Sequence, residues 1–127
     1  MFDPVRRKFV RATPEEIVRQ LWLLYFLDER NINPKLIAVE RSITVHDRQR
    51  RFDIVIFDRS TQPVLLAELK SPNIPIHQNA FDQIAQYNIA LQVPYALVSN
   101  GEHHYCFQID DDEKKFTFLE DLPFEGN

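Results

Sequence analysis

The distribution of apolar and polar positions divides the chain into a short list of elements. Thr13-Pro14-Glu15-Glu16 has the form of a helix start, with Thr13 as N-cap and Pro14 at the first helical position, where its missing N–H costs nothing. Glu16 stands at the reciprocal capping-box position, and the helix is expected to run to about Glu29. Its apolar residues Ile17, Val18, Leu21, Trp22, Leu24, Tyr25 and Leu27 cover more than one stripe, so more than one neighbour should pack on it. After Asn33-Pro34 the period shortens. Leu36–Glu40, Ile43–Val45, Arg51–Phe57 and Val64–Lys70 read as successive strands joined by polar turns at 46–49 and 58–63. The last two are almost continuously apolar, as central strands covered on both faces are. From Asn79 to about Gln92 a helical period returns through Phe81, Ile84, Ala85, Asn88 and Leu91. Tyr95–Ser99 follows as a buried strand, and Asn100-Gly101 turns the chain into His104–Ile109. The acidic run Asp110–Glu113 lies between two short apolar stretches and reads as a polar hairpin loop. A mixed α/β sheet, with one helix crossing over to a parallel strand, fits this order, and residues 1–127 read as one domain with no repeat or internal boundary.

Composition narrows the setting. The 127 residues carry one cysteine, Cys106, which excludes an internal disulfide and any thiolate zinc cage and suits a reducing cytoplasm. No apolar run approaches the roughly 18 residues a bilayer span requires, and Met1–Lys8 is charged without a following apolar stretch, so neither membrane insertion nor a signal peptide is expected. The net charge of −4 argues against a generally sticky polyanion binder. That number hides a division, however. Met1–Lys70 holds 13 Lys+Arg against 10 Asp+Glu, a balance of +3, and Ser71–Asn127 holds 2 against 9, a balance of −7. Within the basic part, Arg6, Arg7, Lys8, Arg11 and Arg19 cluster before and on the first helix, and Arg48, Arg50 and Arg51 before Asp53. Such excesses either meet phosphates or form a solvated face and tail.

The residues able to carry chemistry lie on the two central strands. Glu68 and Lys70, two apart, share a strand face. If these strands form a hairpin, the start of the first lies near the end of the second, and Asp53 faces Glu68. Two adjacent carboxylates repel, and a hard divalent cation between them relieves the repulsion. Magnesium held by few carboxylates keeps waters that can attack a phosphodiester, with Lys70 orienting or deprotonating one of them or neutralising charge on the phosphate. A surface ion pair explains Glu-x-Lys by itself. These charges, however, interrupt strands that are otherwise buried, and buried ionisable groups need partners or a ligand. Gln83 and Tyr87, four apart on the second helix, either turn their polar ends toward this site or a phosphate, or simply pack and solvate. His103, His104 and Cys106 alternate across a strand, so they cannot all meet one ion. His46 and His77 fall in expected loops.

The ordered set Asp53, Glu68-Leu69-Lys70, Gln83-x-x-x-Tyr87, together with Thr13–Gln20, Arg51–Val55, Ala67–Pro72, Phe81–Asn88 and Ser99–Gly101, resembles the N-terminal nuclease-like domain of the type I restriction enzyme R subunit, a branch of the PD-(D/E)XK nuclease superfamily. The resemblance spans about Arg7 to Pro123. It implies a restriction-endonuclease-like αβββαβ core. It also implies a Mg2+ (or Mn2+) site of Asp53, Glu68 and the Leu69 carbonyl, with Lys70 as catalytic lysine and Gln83 and Tyr87 in support. Glu16 is the matching candidate for the extra carboxylate that some members add from the first helix. Arg7, Lys8, Arg11, Arg19, Arg50 and Arg51 become the candidate DNA contacts, and a metal-dependent DNA endonuclease serving restriction or DNA processing is the implied activity. A DNA-binding or protein-interaction module that keeps the fold is the alternative, with a separate motor or specificity protein as partner. Phe52 stands where the motif's name has proline. With only Gly101 and Gly126, no phosphate-cradling loop exists, so ATP hydrolysis and translocation are not implied.

Overall fold

A computed structural model describes residues 1–45, 47–110 and 115–121, without the side chains at 43, 45, 89 and 90. The chain opens with a small antiparallel ribbon, β1 (Phe2–Asp3) and β2 (Lys8–Phe9), followed by α1 (Pro14–Leu24). Thr13 Oγ1 accepts the Glu16 amide at 3.1 Å, so the N-cap forms as expected. The reciprocal half of the capping box does not: the Thr13 amide donates to the Arg11 carbonyl, which frees the Glu16 carboxylate for other partners. A π-helical turn, Tyr25–Glu29, extends α1 to the expected end.

Six strands make one sheet in sequence order: β3 (Ile37–Val45), β4 (Arg48–Phe57), β5 (Pro63–Leu69), β6 (Tyr95–Ser99), β7 (His104–Asp110) and β8 (Lys115–Leu119). Only β5 and β6 run parallel, joined by the crossover helix α2 (Gln78–Leu91). The αβββαβ order is therefore that of α1, β3–β5, α2 and β6, to which the ribbon, β7 and β8 are added. Two expectations are corrected. The segments 36–40 and 43–45 are one strand, because exposed Arg41 and Ser42 pair with Phe52 and Arg51 along the sheet's outer strand. Arg48 and Gln49, expected in a turn, belong to β4 and pair with Val45 and Thr44, while His46 lies outside the described residues. Asp110 pairs with Lys115 at the expected acidic hairpin, whose residues 111–114 are likewise not described.

Alternation along the strands sends side chains to two cores. Val18, Leu23 and Phe26 pack with Ile54, Ile56, Leu65, Ala67, Leu69 and Leu97 on the α1 side. Ala80, Ile84 and Tyr87 pack with Val55, Leu66, Ala96, Val98 and Phe107 on the α2 side. Phe52 breaks the rule: counted from Ile54 it should face α1, yet it is buried in the α2-side core. The irregularity coincides with Glu40, which lies between the Val39–Ile54 and Arg41–Phe52 pairs with φ of 53°, a left-handed conformation costing roughly 1–2 kcal/mol for a side chain of this kind.

Candidate active site

The β4–β5 ladder stops at the Ile54–Ala67 pair. Beyond it the next residues, Asp53 and Glu68, face one another without backbone pairing, and the Leu69 N–H donates to Asp53 Oδ2 at 2.8 Å. The Lys70 N–H donates the other way, to the Ser99 carbonyl of β6 at 2.8 Å. Because every described peptide is trans, the Leu69 carbonyl must point opposite to that N–H, toward the Asp53 side. Lys70 Nζ lies 3.4 Å from Glu68 Oε1. The structure thus brings Asp53, Glu68, Lys70 and the Leu69 carbonyl together at the point where two central strands part.

The two carboxylates live in different surroundings. Both Asp53 oxygens are engaged, Oδ2 by the Leu69 amide and Oδ1 by Arg19 Nη2 at 2.9 Å. Glu68 is 6% exposed, and its Oε2 is buried with no hydrogen-bond partner. Burial first, and then the charge of Asp53, push the Glu68 carboxyl up to about 7, against the opposing pull of Lys70. Among the described residues no three His, Cys, Asp or Glu side chains gather closely enough to enclose a metal ion. Any cation here would rest on two carboxylates, a carbonyl and water.

Arg19 is corrected by the structure. It is 4% exposed and cannot present itself to a phosphate, because its guanidinium reaches Asp53, Glu16 at 3.0 Å, Glu40 at 3.2 Å and Glu15 at 3.8 Å. Burial pulls its proton affinity down, but the Asp53 hydrogen bond and the surrounding carboxylates more than offset this and raise it. The Glu16 carboxylate is taken up by Arg6 at 2.6 Å and by Arg19. Glu15 is the first-helix carboxylate that feels the site: partial burial and the Asp53 charge raise its pKa while Arg19 and Lys70 lower it. Sequence reasoning chose Glu16 on capping-box spacing; the signal for Glu15 was its four-residue spacing to Arg19. Glu40 was also missed, since nothing in its neighbourhood marks it.

Gln83 and Tyr87 touch one another, Gln83 Nε2 donating to the Tyr87 hydroxyl at 2.8 Å, and that hydroxyl donates to the Arg51 carbonyl at 3.1 Å. Their polar ends therefore hold β4 beside Asp53 rather than reaching a carboxylate. Burial, then the Glu68 charge, raise the Tyr87 pKa, which places its ring within electrostatic range of the site. The Tyr87 ring itself shares the α2-side core with Ile84. Of the other candidate DNA contacts, Arg7, Lys8, Arg11 and Arg51 are exposed and Arg50 is half-buried.

A different concavity of about 430 Å³ lies between α1 and the β6–β8 side, lined by Trp22, Tyr25, His104 and Cys106 and by none of the charged set. There Ser99 Oγ accepts Trp22 Nε1 at 2.9 Å and the Gly101 amide at 3.0 Å and meets His104 Nδ1 at 2.7 Å. These contacts fix His104 structurally, in keeping with its place in a strand.

An αβββαβ sheet whose central strands part around an Asp and a Glu-x-Lys is the architecture of restriction-endonuclease-like nucleases. Residues 14–123 match the family model of the type I restriction enzyme R protein N terminus (HSDR_N), and the chain belongs to that family. Among solved structures it is similar to a fragment assigned as the HsdR subunit of a type I restriction enzyme from Vibrio vulnificus YJ016, with 21% identity and a TM-score of 0.63 over 91% of this chain and 24% of that one. It is also similar to the type IIG restriction endonuclease BpuSI, at 18% identity and TM-score 0.51 over 90% of this chain and 13% of that one. A protein assigned as a DUF820 nuclease from Anabaena variabilis ATCC 29413 is similar at 10% identity and TM-score 0.52, over 91% of this chain and 72% of that one. At these identities the likeness shows the fold, and the chain spans about a quarter of the HsdR fragment. No curated protein matches. Among the described residues no helix is long and apolar enough to cross a membrane.

Proposed function

We propose that this chain is the nuclease domain of a restriction or DNA-processing system, a metal-dependent DNA endonuclease that hydrolyses phosphodiester bonds in the cytoplasm. One observation carries the reading: a buried glutamate oxygen without a partner, set beside a second carboxylate and a lysine where the strands part. An orphaned buried carboxylate oxygen is costly unless a proton or a cation completes it. Asp53, Glu68 and the Leu69 carbonyl make a hard, all-oxygen donor set with room only for partial coordination, which suits Mg2+ or Mn2+ retaining waters. Such an ion, when bound, supplies Lewis acidity to the scissile phosphate and a more acidic water. The chain's own residues do the rest. Asp53 is held in place by the Leu69 amide and by Arg19, so it is oriented before any ligand arrives. Lys70, with its side chain about a third exposed and its ammonium beside Glu68, can orient a water or neutralise charge growing on the phosphate. Tyr87 and Gln83 position β4 through the Arg51 carbonyl. Exposed Arg7, Lys8, Arg11 and Arg51, with half-buried Arg50, supply the phosphate contacts.

The test is to incubate the protein with single-stranded, duplex and branched DNA and magnesium or manganese. Cleavage by the parent and its loss in Asp53→Ala and Glu68→Ala support catalysis; absence of cutting on every substrate, or equal cutting by the variants, removes it. A second reading, a DNA-binding or protein-interaction module working with a separate motor or specificity protein, is favoured by the Arg19–Asp53 ion pair, which already neutralises one prospective ligand. It predicts salt-dependent DNA binding indifferent to Glu68→Ala.

A further inference from the structure

The N-terminal ribbon holds an arrangement that neither core explains. Phe2 and Phe9 stand directly across β1–β2, 51% and 80% exposed, with ring centroids 5.3 Å apart at 71°. Neither ring belongs to a buried cluster, although the ribbon beneath them is firmly tied down. Asp3, fully buried on the opposite face, accepts the amides of Val5 and Arg6, the Arg6 guanidinium at 2.7 Å and the Gln20 amide at 2.9 Å. Burial alone would raise the Asp3 pKa, but these donors together hold it below the ordinary range, so it stays ionised as an anchor. Arg6 continues to Glu16 and Glu40, and both reach Arg19, which grips Asp53. The ribbon is therefore a rigid platform joined to the candidate site through consecutive ion pairs. In the same segment Arg7, Lys8 and Arg11 are exposed, Lys8 on the ribbon face opposite the rings as the partner of Asp3, and none forms an ion pair among the described residues.

We propose that Phe2 and Phe9 form a stacking platform for an unpaired nucleobase, with Arg7, Lys8 and Arg11 receiving the flanking phosphates. Unpaired exposed cations in the same short segment as exposed aromatic faces complement a polyanion that also carries π-faces, and that combination is single-stranded nucleic acid. A duplex keeps its base faces stacked internally and can use only the cations. The domain thus engages strand ends, gaps or forks more tightly than uninterrupted duplex, a preference that rests on the DNA-directed reading above and names its substrate class. The rings' exposure also means that replacing them leaves the fold intact.

The experiment measures binding of a fluorescein-labelled thymidine 15-mer, and of a blunt duplex of the same length, by anisotropy in EDTA so that no cleavage intervenes. A 15-mer with one 2-aminopurine reports stacking directly by quenching. The parent should bind the single strand, and Phe9→Ala and the Phe2→Ala/Phe9→Ala pair should weaken it about tenfold or more and abolish the quenching, with duplex binding changed less than twofold. Phe9→Trp should restore both signals, and Arg7→Ala/Lys8→Ala should weaken single strand and duplex alike. Single-strand binding within twofold of the parent in the double variant overturns the proposal. So does failure of the parent to bind the 15-mer, or an oligomer, seen by sedimentation, that Phe9→Ser dissociates while DNA binding is unmoved. Metal-dependent cleavage of duplex by the same preparations is scored separately, so the endonuclease reading can stand when the stacking platform falls, and the reverse.

Discussion

Replacing Glu68 by Gln isolates the feature that most distinguishes the site. The unfolded carboxyl titrates near 4.5 and the folded one near 7, because burial and Asp53 disfavour the anion. The folded state therefore binds this proton more tightly. The stabilisation is complete below about pH 4.5 and is lost as the pH rises through 7. A displacement of that size corresponds to about 3 kcal/mol at pH 8. Gln keeps the shape and an acceptor for Lys70, and it has no proton to lose. It does leave a buried amide nitrogen where Oε2 now stands without a partner, a cost of about 1–3 kcal/mol that is the same at every pH. The variant should accordingly be less stable than the parent at pH 5 and equal to it or more stable at pH 8, with the difference swinging by about 2–3 kcal/mol between the two. Urea unfolding followed by the fluorescence of Trp22, the only tryptophan, reads this directly. A stability difference that stays constant from pH 5 to pH 8 would refute the reasoning, since it would place the Glu68 proton at its ordinary affinity.

Three other substitutions probe the surroundings. Lys70→Met should leave the fold intact, because the side chain is about a third exposed and its one ion pair among the described residues is with Glu68, yet it should lower cleavage about 100-fold or more in a timed plasmid-nicking assay. Arg19→Met should cost about 3–5 kcal/mol in urea unfolding, because it takes the guanidinium from Asp53 and leaves Glu16 and Glu40 to Arg6 alone. Tyr87→Phe removes a hydroxyl held between Gln83 and the Arg51 carbonyl and should cost about 1 kcal/mol by the same measurement, with cleavage kept within a few-fold of the parent.

The sequence made the frame legible wherever local pattern and tertiary role agree. The Thr13-Pro14 start, the Tyr95–Ser99 strand and the Asn100-Gly101 turn, where Gly101 has φ of 90°, all form as their local chemistry dictates. Asp53, Glu68 and Lys70 stood out because charge inside an apolar strand is expensive. What was not legible depends on partners distant in the chain. Arg19 looks like any basic helix residue until Asp53, 34 positions away, is placed against it. Asp3 looks like part of a tail until Gln20 and Arg6 close around it. Strands of two residues, such as β1 and β2, are too short to show a period. Arg41 and Ser42 read as a break because the outer face of an edge strand has no need of apolar residues. The side switch at Phe52 coincides with a left-handed Glu40 on a neighbouring strand, which no local rule predicts.

The contrast between the two carboxylates leads to a last prediction. Asp53 is fully engaged by an amide and a guanidinium; Glu68 has an oxygen that nothing among the described residues completes. In the proposed metal site a proton and a divalent cation are rivals for the same atom. Below about pH 7 the proton holds Glu68, and a metal ion must displace it. Manganese affinity, measured by calorimetry, should fall by up to tenfold for each pH unit below 7 and level off above it. Near pH 6 binding should release close to one proton per ion, detectable as a dependence of the heat on the buffer's ionisation enthalpy, and near pH 9 almost none. Glu68→Gln should bind manganese more weakly and lose the release altogether. Proton release at pH 6 that persists in the Gln variant would assign the titrating group elsewhere, and with it the role given to the orphaned oxygen.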